Sequence, residues 1–287
     1  HAKVLAHGAG LIAVNAMVAT TQYADSVRTA LRAGADAIVC GAGLPKDLPA
    51  LASEVSDSDA AIAPIVSSGR AAGLLCKLWD RHYGRIPDFL ILEGPEAGGH
   101  LGFSRQDLDA PPSLSDLLRE VLTTIAPFRD KAGRDIPVFV AGGVKNGADM
   151  ARYMKEGAAG AQFATRFIAT AECDASDGYK QRLLNASPGD ITLVKSPVGM
   201  PGRALRSPLI RRVEDGTQPP PDRCMKCITT CDGKNAPYCI SRALIAARNG
   251  DWENGLFFCG ANAGEINTLS TVQQQMAQIM DEWRNAQ

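Results

Sequence analysis

The stretch DFLILEGPEAGGHLG, residues 88–102, decides how the chain folds. Its first half is an apolar run of strand length with no polar face, so both sides must be covered, which is the condition of a strand in a parallel sheet. Its second half gathers Glu93, Glu96, four glycines (Gly94, Gly98, Gly99 and Gly102) and His100 immediately after that run. Polar residues collected at the C-terminal end of a buried strand are where α/β proteins place ligands.

Six other runs share this form: LIAVNAMVA (11–19), ADAIVCGAG (35–43), AIAPIVSSG (61–69), IPVFVAGG (136–143), AAGAQFATRF (158–167) and ITLVKSPVG (191–199). Between them lie patterns of helical period. YADSVRTALRAG (23–34) stops at Gly34, and NGADMARYMKEG (146–157) opens on Asn146 as a cap and stops at Gly157. Strands that alternate with helices imply a parallel sheet covered on both faces. An open sheet would concentrate ligand groups at one switch point. Here Asn15, Ser67 with Ser68, Glu93 to His100, Gly142 with Gly143, and Thr165 follow strand after strand. The expected fold is therefore a TIM-type (β/α)8 barrel, in which every strand end reaches one mouth. Seven runs are one short of eight, and HAKVLAHGAG at the start reads as the end of a helix stopped by glycine, so the first βα unit is expected to lie outside this chain.

At 287 residues with 45% apolar side chains, the chain can bury roughly three quarters of its unfolded surface. Thirty basic against thirty-one acidic residues leave a net charge of -1 with no block of one sign, which gives no reason to expect a nucleic-acid partner. No apolar stretch approaches the ~20 residues that span a bilayer, and no secretory pattern opens the chain, so no membrane partner and a cytoplasmic location are expected. The barrel is assigned to residues 1–210. RRVEDGTQPPPDRC then forms a proline-rich connector into a C-terminal extension, 211–287, packed on the barrel. Its apolar final helix, STVQQQMAQIMDEWR, makes a homodimer reasonable.

Paired glycines in VAGGV (140–144) and a threonine in FATRF (163–167), on consecutive strands, suit a phosphate, because bare backbone N–H groups can approach an anion closely. Gly98 and Gly99 let backbone press against a flat ligand, while the His100 imidazole, of near-neutral pKa, projects into the mouth and can move a proton. Cys224, Cys227, Cys231 and Cys239 contain one CxxC. Zinc or an iron–sulfur cluster is conceivable there, but the spacing matches neither a zinc ribbon nor a ferredoxin run; no metal is assigned, and thiols packing a small subdomain is the adopted reading. Arg203, Arg206, Arg211 and Arg212 are read as a solvated face.

VNAMVA, EGPEAGGHLG, IPVFVAGGV, GAQFATRF and YKQRLL together resemble the nitronate monooxygenase family, formerly the 2-nitropropane dioxygenases, and the related flavin-dependent enoyl-acyl-carrier-protein reductase II. The resemblance covers nearly the whole chain. It implies an FMN-binding TIM barrel in which Asn15 contacts the flavin and Glu93 and Gly98 line it. Gly143 with Gln162, Phe163, Ala164 and Thr165 would hold the phosphate, with Gly142 and Gly99 completing the two glycine turns, and His100 would be the catalytic base or substrate-orienting group. Glu93 stands where many members have Gln, which would place a carboxylate beside the flavin. The implied reaction is oxidation of an alkyl nitronate with O2 and release of nitrite. The alternatives are NAD(P)H-dependent reduction of an enoyl thioester and, from another class, flavin binding without turnover.

Overall fold

A computed structural model describes residues 1–55 and 58–287. Its strands are β1 (Ala13–Met17), β2 (Ala37–Gly41), β3 (Ala61–Val66), β4 (Leu90–Glu93), β5 (Gly99–His100), β6 (Val138–Ala141), β7 (Gly160–Gln162), β8 (Ile191–Lys195) and β9 (Pro201–Leu205). Six of them form one parallel sheet in the order β1-β2-β3-β4-β6-β7, curled into half of a TIM-type barrel with helices on its outer face. Each intervening connection is a helix, as parallel pairing requires.

The outer face of the sheet is sealed by helices Gly69–Tyr83 and Leu114–Ala132, whose Leu75, Cys76, Leu118, Val121 and Ile125 are fully buried with Leu90, Leu92 and Val140. Each such aliphatic side chain contributes roughly 1.5–3 kcal/mol of burial. Trp79, completely buried, extends that seal to the neighbouring loop by donating its indole N–H to the Pro45 carbonyl at 3.0 Å. The inner face is lined by Val39, Ala63, Ile65, Ile91 and Ala141, with Phe89 and Phe139 packed edge to face at 5.7 Å. Bulk therefore fills the interior below the mouth, and small residues stand near the strand ends.

The run at 191–199 does not join this sheet. Ile191–Lys195 pairs antiparallel with Pro201–Leu205, from Ile191 opposite Leu205 to Lys195 opposite Pro201, and β5 pairs antiparallel with the other side of β9. The physical cause is the connection. Residues 196–200 close a short loop with Gly199 at φ +89°, and a short loop can return a strand only antiparallel. Burial agrees, since β8 has no continuous buried stretch and Lys195 is exposed.

Residues beyond 210 start inside helix Pro208–Glu214 and then wrap back over the molecule. Phe257 and Cys259 are buried against Leu205, Tyr179 and Leu183, and Leu256 against Val194, Leu209 and Ile210. The final helix, Val272–Asn285, opens on a reciprocal cap between Thr271 and Gln274 and buries Ile279 against helix Gly147–Lys155. Among the described residues no helix is long and apolar enough to cross a membrane.

Candidate active site

The ends of three neighbouring parallel strands bring Glu93, Ala141 and Gln162 side by side, because the register sets Glu93 opposite Ala141 and Ala141 opposite Gln162. Above them opens a pocket of about 110 Å3, lined by Glu93, Gly98, Gly142 and Gly143 from the first two strand ends and by Gln162, Phe163, Ala164 and Thr165 from the third. The backbone N–H groups of Gly143, Val144 and Ala164 find no acceptor within the chain among the described residues. Orphaned donors in a side-chain-poor turn are the chemistry of an anion cradle, so these residues fit the phosphate end of a flavin nucleotide.

The two glycine pairs divide their labour differently from the sequence expectation. A Cβ on Gly98 would lie 2.5 Å from the Cys259 carbonyl carbon and 2.6 Å from the Gly260 nitrogen. One on Gly142, at φ +69°, would lie 2.7 Å from the Ala97 Cβ and 2.8 Å from the Gly94 oxygen. The bare backbone at these positions is used to pack chain against chain. Gly143 is the open one: it has φ +115°, and its nearest neighbour is the Glu96 carboxylate at 3.5 Å. Asn15 shares the interior face through its register with Val39 and Ala63, but it is exposed and lies outside the pocket lining, as does Gly99.

Burial alone raises the Glu93 carboxyl to about 7, so near neutrality about half of it is protonated and can present an O–H, much as an amide would present an N–H. Glu96 lines the same pocket and is exposed to the charge of Arg203. Arg203 is not part of a solvated face. Its guanidinium donates to the Pro95 carbonyl at 2.6 Å and the Ala97 carbonyl at 2.7 Å, pinning the loop that carries both glutamates' neighbours.

His100 sits on β5 rather than in a free loop, opposite Gly202 of β9. Its Nε2 lies 2.8 Å from Ser196 Oγ, and its ring packs edge to face on Phe258 at 5.1 Å. Burial lowers its pKa to about 4, well below the near-neutral value expected from sequence, so the imidazole is neutral at physiological pH. Ser196 is buried, its Oγ accepts the Val198 N–H at 3.3 Å, and among the described residues Nε2 is the one acceptor within hydrogen-bond reach of its hydroxyl, so we assign the hydroxyl hydrogen to Nε2. The ring proton is then on Nδ1, which makes no hydrogen bond among the described residues. Beside Ser196 runs an open groove of about 680 Å3, lined by Leu101, Phe103, Val194, Met200 and Pro201, with Lys195 and Arg105 among its polar groups.

Several contributors were not anticipated. Ser196 lies 96 residues from His100, and Phe258, Gly260 and Asn262 come from the C-terminal segment. Gly260 N–H donates to Thr165 Oγ1 at 2.9 Å, which commits that hydroxyl to closing the pocket wall. Arg166, inside the FATRF motif, also lines the pocket and donates to the Lys145 carbonyl. Thr in that motif carried the sequence argument, and the arginine beside it was the available signal. The cysteines all carry free thiols; among the described residues, no three His, Cys, Asp or Glu groups already stand at metal-coordinating geometry.

The family model for nitronate monooxygenase matches residues 2–282. Relatives include a (3aS,4S,5R,7aS)-5-hydroxy-7a-methyl-1-oxo-octahydro-1H-indene-4-carboxyl-CoA dehydrogenase of Mycobacterium tuberculosis, 34% identical over 131 residues, 46% of this chain and 33% of that protein. Nitronate monooxygenase npaC of Metarhizium robertsii is 37% identical over 111 residues, 38% of this chain and 28% of that protein. The matched stretches thus span about a third of these relatives' own length. Among solved structures, FabK from Thermotoga maritima superposes with a TM-score of 0.75 at 24% identity, over 99% of this chain and 79% of that one. Nitroalkane oxidase from Streptomyces ansochromogenes does so with a TM-score of 0.68 at 22% identity, over 92% and 68%. At such identities the superpositions speak for a shared fold, and the match along almost the entire sequence speaks for descent: the chain belongs to the nitronate monooxygenase family of flavin-dependent oxidoreductases.

Proposed function

We propose that this chain binds FMN at the turn pocket and oxidises alkyl nitronates, with O2 as oxidant and nitrite and a carbonyl compound as products. The observation that carries the reading is the juxtaposition of the donor-rich Gly143–Val144 and Ala164 turns with a half-buried Glu93, its pKa raised to about 7, across one strand end. When bound, the flavin supplies the two-electron chemistry. The protein supplies orientation and a polar frame. Gly142, Gly143 and residues 162–165 hold the phosphate end, Gly98 and Glu93 line the ring, and Asn15 contacts it from the neighbouring inner face of the sheet.

The tautomer of His100 favours a nitronate over its parent nitroalkane. A neutral nitroalkane must first lose its α-proton, and an imidazole pushed down to about 4 with Nε2 already engaged by Ser196 is a poor base. A nitronate arrives deprotonated and negatively charged. It needs a donor, which the Nδ1–H provides. His100 is therefore the substrate-orienting group. A neutral imidazole also avoids placing a fixed cation beside the substrate, so nitrite can leave without a strong ion pair holding it.

One observation supports a second reading. The groove of about 680 Å3 beside Ser196 exceeds what a small nitronate fills, and its apolar floor with Lys195 and Arg105 suits an acyl thioester with an anionic carrier arm, as NAD(P)H-dependent enoyl reduction would need. The two are separated by one experiment. FMN-loaded protein mixed anaerobically with propyl-2-nitronate should lose its visible flavin absorbance within the mixing time and release nitrite once air is admitted. Unchanged absorbance, together with NAD(P)H consumption on a crotonyl thioester, would replace the first reading with the second. A protein that takes up FMN, gaining about 2.7 kcal/mol at 100 times the dissociation constant, yet turns over neither substrate would be a flavin-binding protein only.

The remaining elements of the proposal follow from composition and packing. They are a barrel (1–210) with its extension (211–287), a cytoplasmic setting that keeps eight thiols reduced, and pairing of two copies through the final helix, where Val272 and Met276 are exposed.

A further inference from the structure

Between Glu214 and Ile240 the chain runs without a helix or a named strand; its backbone is tied to the barrel there by an isolated bridge from Ile228 to Thr20. Unstructured connections longer than about 12–15 residues are uncommon in compact domains, because so little apolar area is buried per ordered residue. Here the buried apolar side chains are Ile228, Ala236 and Tyr238. Something else must hold this segment in one conformation.

Four cysteines occupy the place where that support would act. Cys224, Cys227, Cys231 and Cys239 line a single cavity of about 20 Å3, and Cys231 is within electrostatic reach of the other three. Cys239 stands at the N-cap of helix Ile240–Arg248. The local backbone is arranged around sulfur. Lys226 N–H donates to Cys224 Sγ at 3.4 Å from a residue held at φ +51°, the Ser241 hydroxyl donates to Cys227 Sγ at 2.9 Å, and a Cβ on Gly233 would lie 2.7 Å from Cys224 Sγ. The segment 222–242 also carries Arg223, Lys226, Lys234 and Arg242 against Asp222 and Asp232, a surplus of positive charge suited to a centre with four anionic ligands.

We propose that Cys224, Cys227, Cys231 and Cys239 form a four-thiolate structural centre for a soft metal. The sulfurs do not yet stand at coordinating geometry, so side-chain rotation about the shared cavity completes the site on metal uptake. The first pair has the C-x2-C spacing of structural zinc sites, and the present cavity has room for one ion; a multi-iron cluster with the same four ligands would need the loop to open around it. The centre would clamp the active-site mouth from outside. Thr21 N–H donates to the Cys227 carbonyl and Thr229 N–H to the Ala19 carbonyl, at the end of β1. Thr230 Oγ1 donates to the Val198 carbonyl and Tyr238 OH to the Lys195 carbonyl, on either side of Ser196.

Elemental analysis of the full chain purified without chelator tests this directly. About one zinc per chain in a colourless protein, or iron with acid-labile sulfide in a brown one, is expected, and the two arms tell the ion from the cluster. Thiol titration of the native protein before and after metal removal should show about four additional reactive cysteines once the metal is gone. Replacing Cys224 and Cys227 together by Ser should abolish the metal; if that variant does not fold, the elemental and thiol measurements on the unaltered chain still decide. Metal below about a tenth of an equivalent with all four thiols already reactive would overturn the proposal, as would full metal content retained in the double variant.

Discussion

The parallel half-barrel and the antiparallel sheet β5–β9–β8 supply the same mouth by opposite routes. In the half-barrel each functional residue sits at the end of a continuous buried strand, and its neighbours across the sheet come from runs of the same kind. In the antiparallel sheet His100 depends on pairing with Gly202 and on a serine 96 residues away. The first arrangement is local and repeated, so its chemistry survives as a pattern along the chain. The second is made of one long-range contact, and it sets the protonation state on which the proposed chemistry turns.

Breaking the half-barrel side should have the largest effect. Gly98→Ala places a methyl group against the Cys259–Gly260 backbone, which cannot rotate away, and should cost roughly 3 kcal/mol or more, read as a large fall in Tm and loss of FMN binding. Gly143→Ala is its control: the same methyl meets nothing closer than 3.5 Å, so only the strain of φ +115° remains, about 1–2 kcal/mol. Equal losses in the two variants would erase the distinction between packing and ligand glycines.

On the antiparallel side, His100→Ala should lower kcat/KM for a nitronate by about 100-fold, the usual effect of removing one donor to a charged substrate atom. The rate of the unaltered enzyme with the nitronate should not fall as pH drops from 8 to the region of His100's pKa, about 4, with Glu93 gaining its proton near 7 on the way. A rate that falls with a midpoint near pH 6.5 would mean that His100 titrates normally and that burial does not hold it neutral. Arg203→Ala joins the two regions, because it frees the Pro95 and Ala97 carbonyls from a cation; a loss of about 2 kcal/mol in stability is expected, measured by urea denaturation.

A pH comparison sharpens the contrast further. The folded chain binds the Glu93 proton more tightly than the unfolded one, so stability falls as pH rises from 4.5 to about 7 and is level above. His100 acts in the other direction: its folded pKa lies below the unfolded value, so stability is lost as pH falls from 6.5 to about 4. Glu93→Gln removes the first slope alone. Relative to the unaltered chain it should gain about 3 kcal/mol at pH 8 and almost nothing at pH 4, which thermal denaturation at the two pH values would check. The smallest change is Ser196→Ala, about tenfold in kcat/KM, with the His100 tautomer no longer fixed, as followed by NMR.

What could be read from the sequence follows the same division. The runs that became β1 to β4, β6 and β7 were legible because two covered faces leave no polar residue inside a strand, and the glycine turns because few side chains tolerate their backbone. ITLVKSPVG looked like one more member of that series, and the feature against it, a five-residue loop into a second strand, lay beyond the run itself. The depressed basicity of His100 was invisible because it comes from burial, to which Phe258, far away in the chain, contributes by packing on the ring. Arg203 looked solvent-facing because nothing in its neighbours shows that two carbonyls from residues 95 and 97 await it.

Gly260 and Asn262 belong to the pocket whose other wall is built from residues 93 to 166. A chain growing from its N-terminus on the ribosome therefore lacks a complete pocket until residues 260–262 have been made. Loading of the proposed cofactor would follow synthesis of that segment, which acts as the latch.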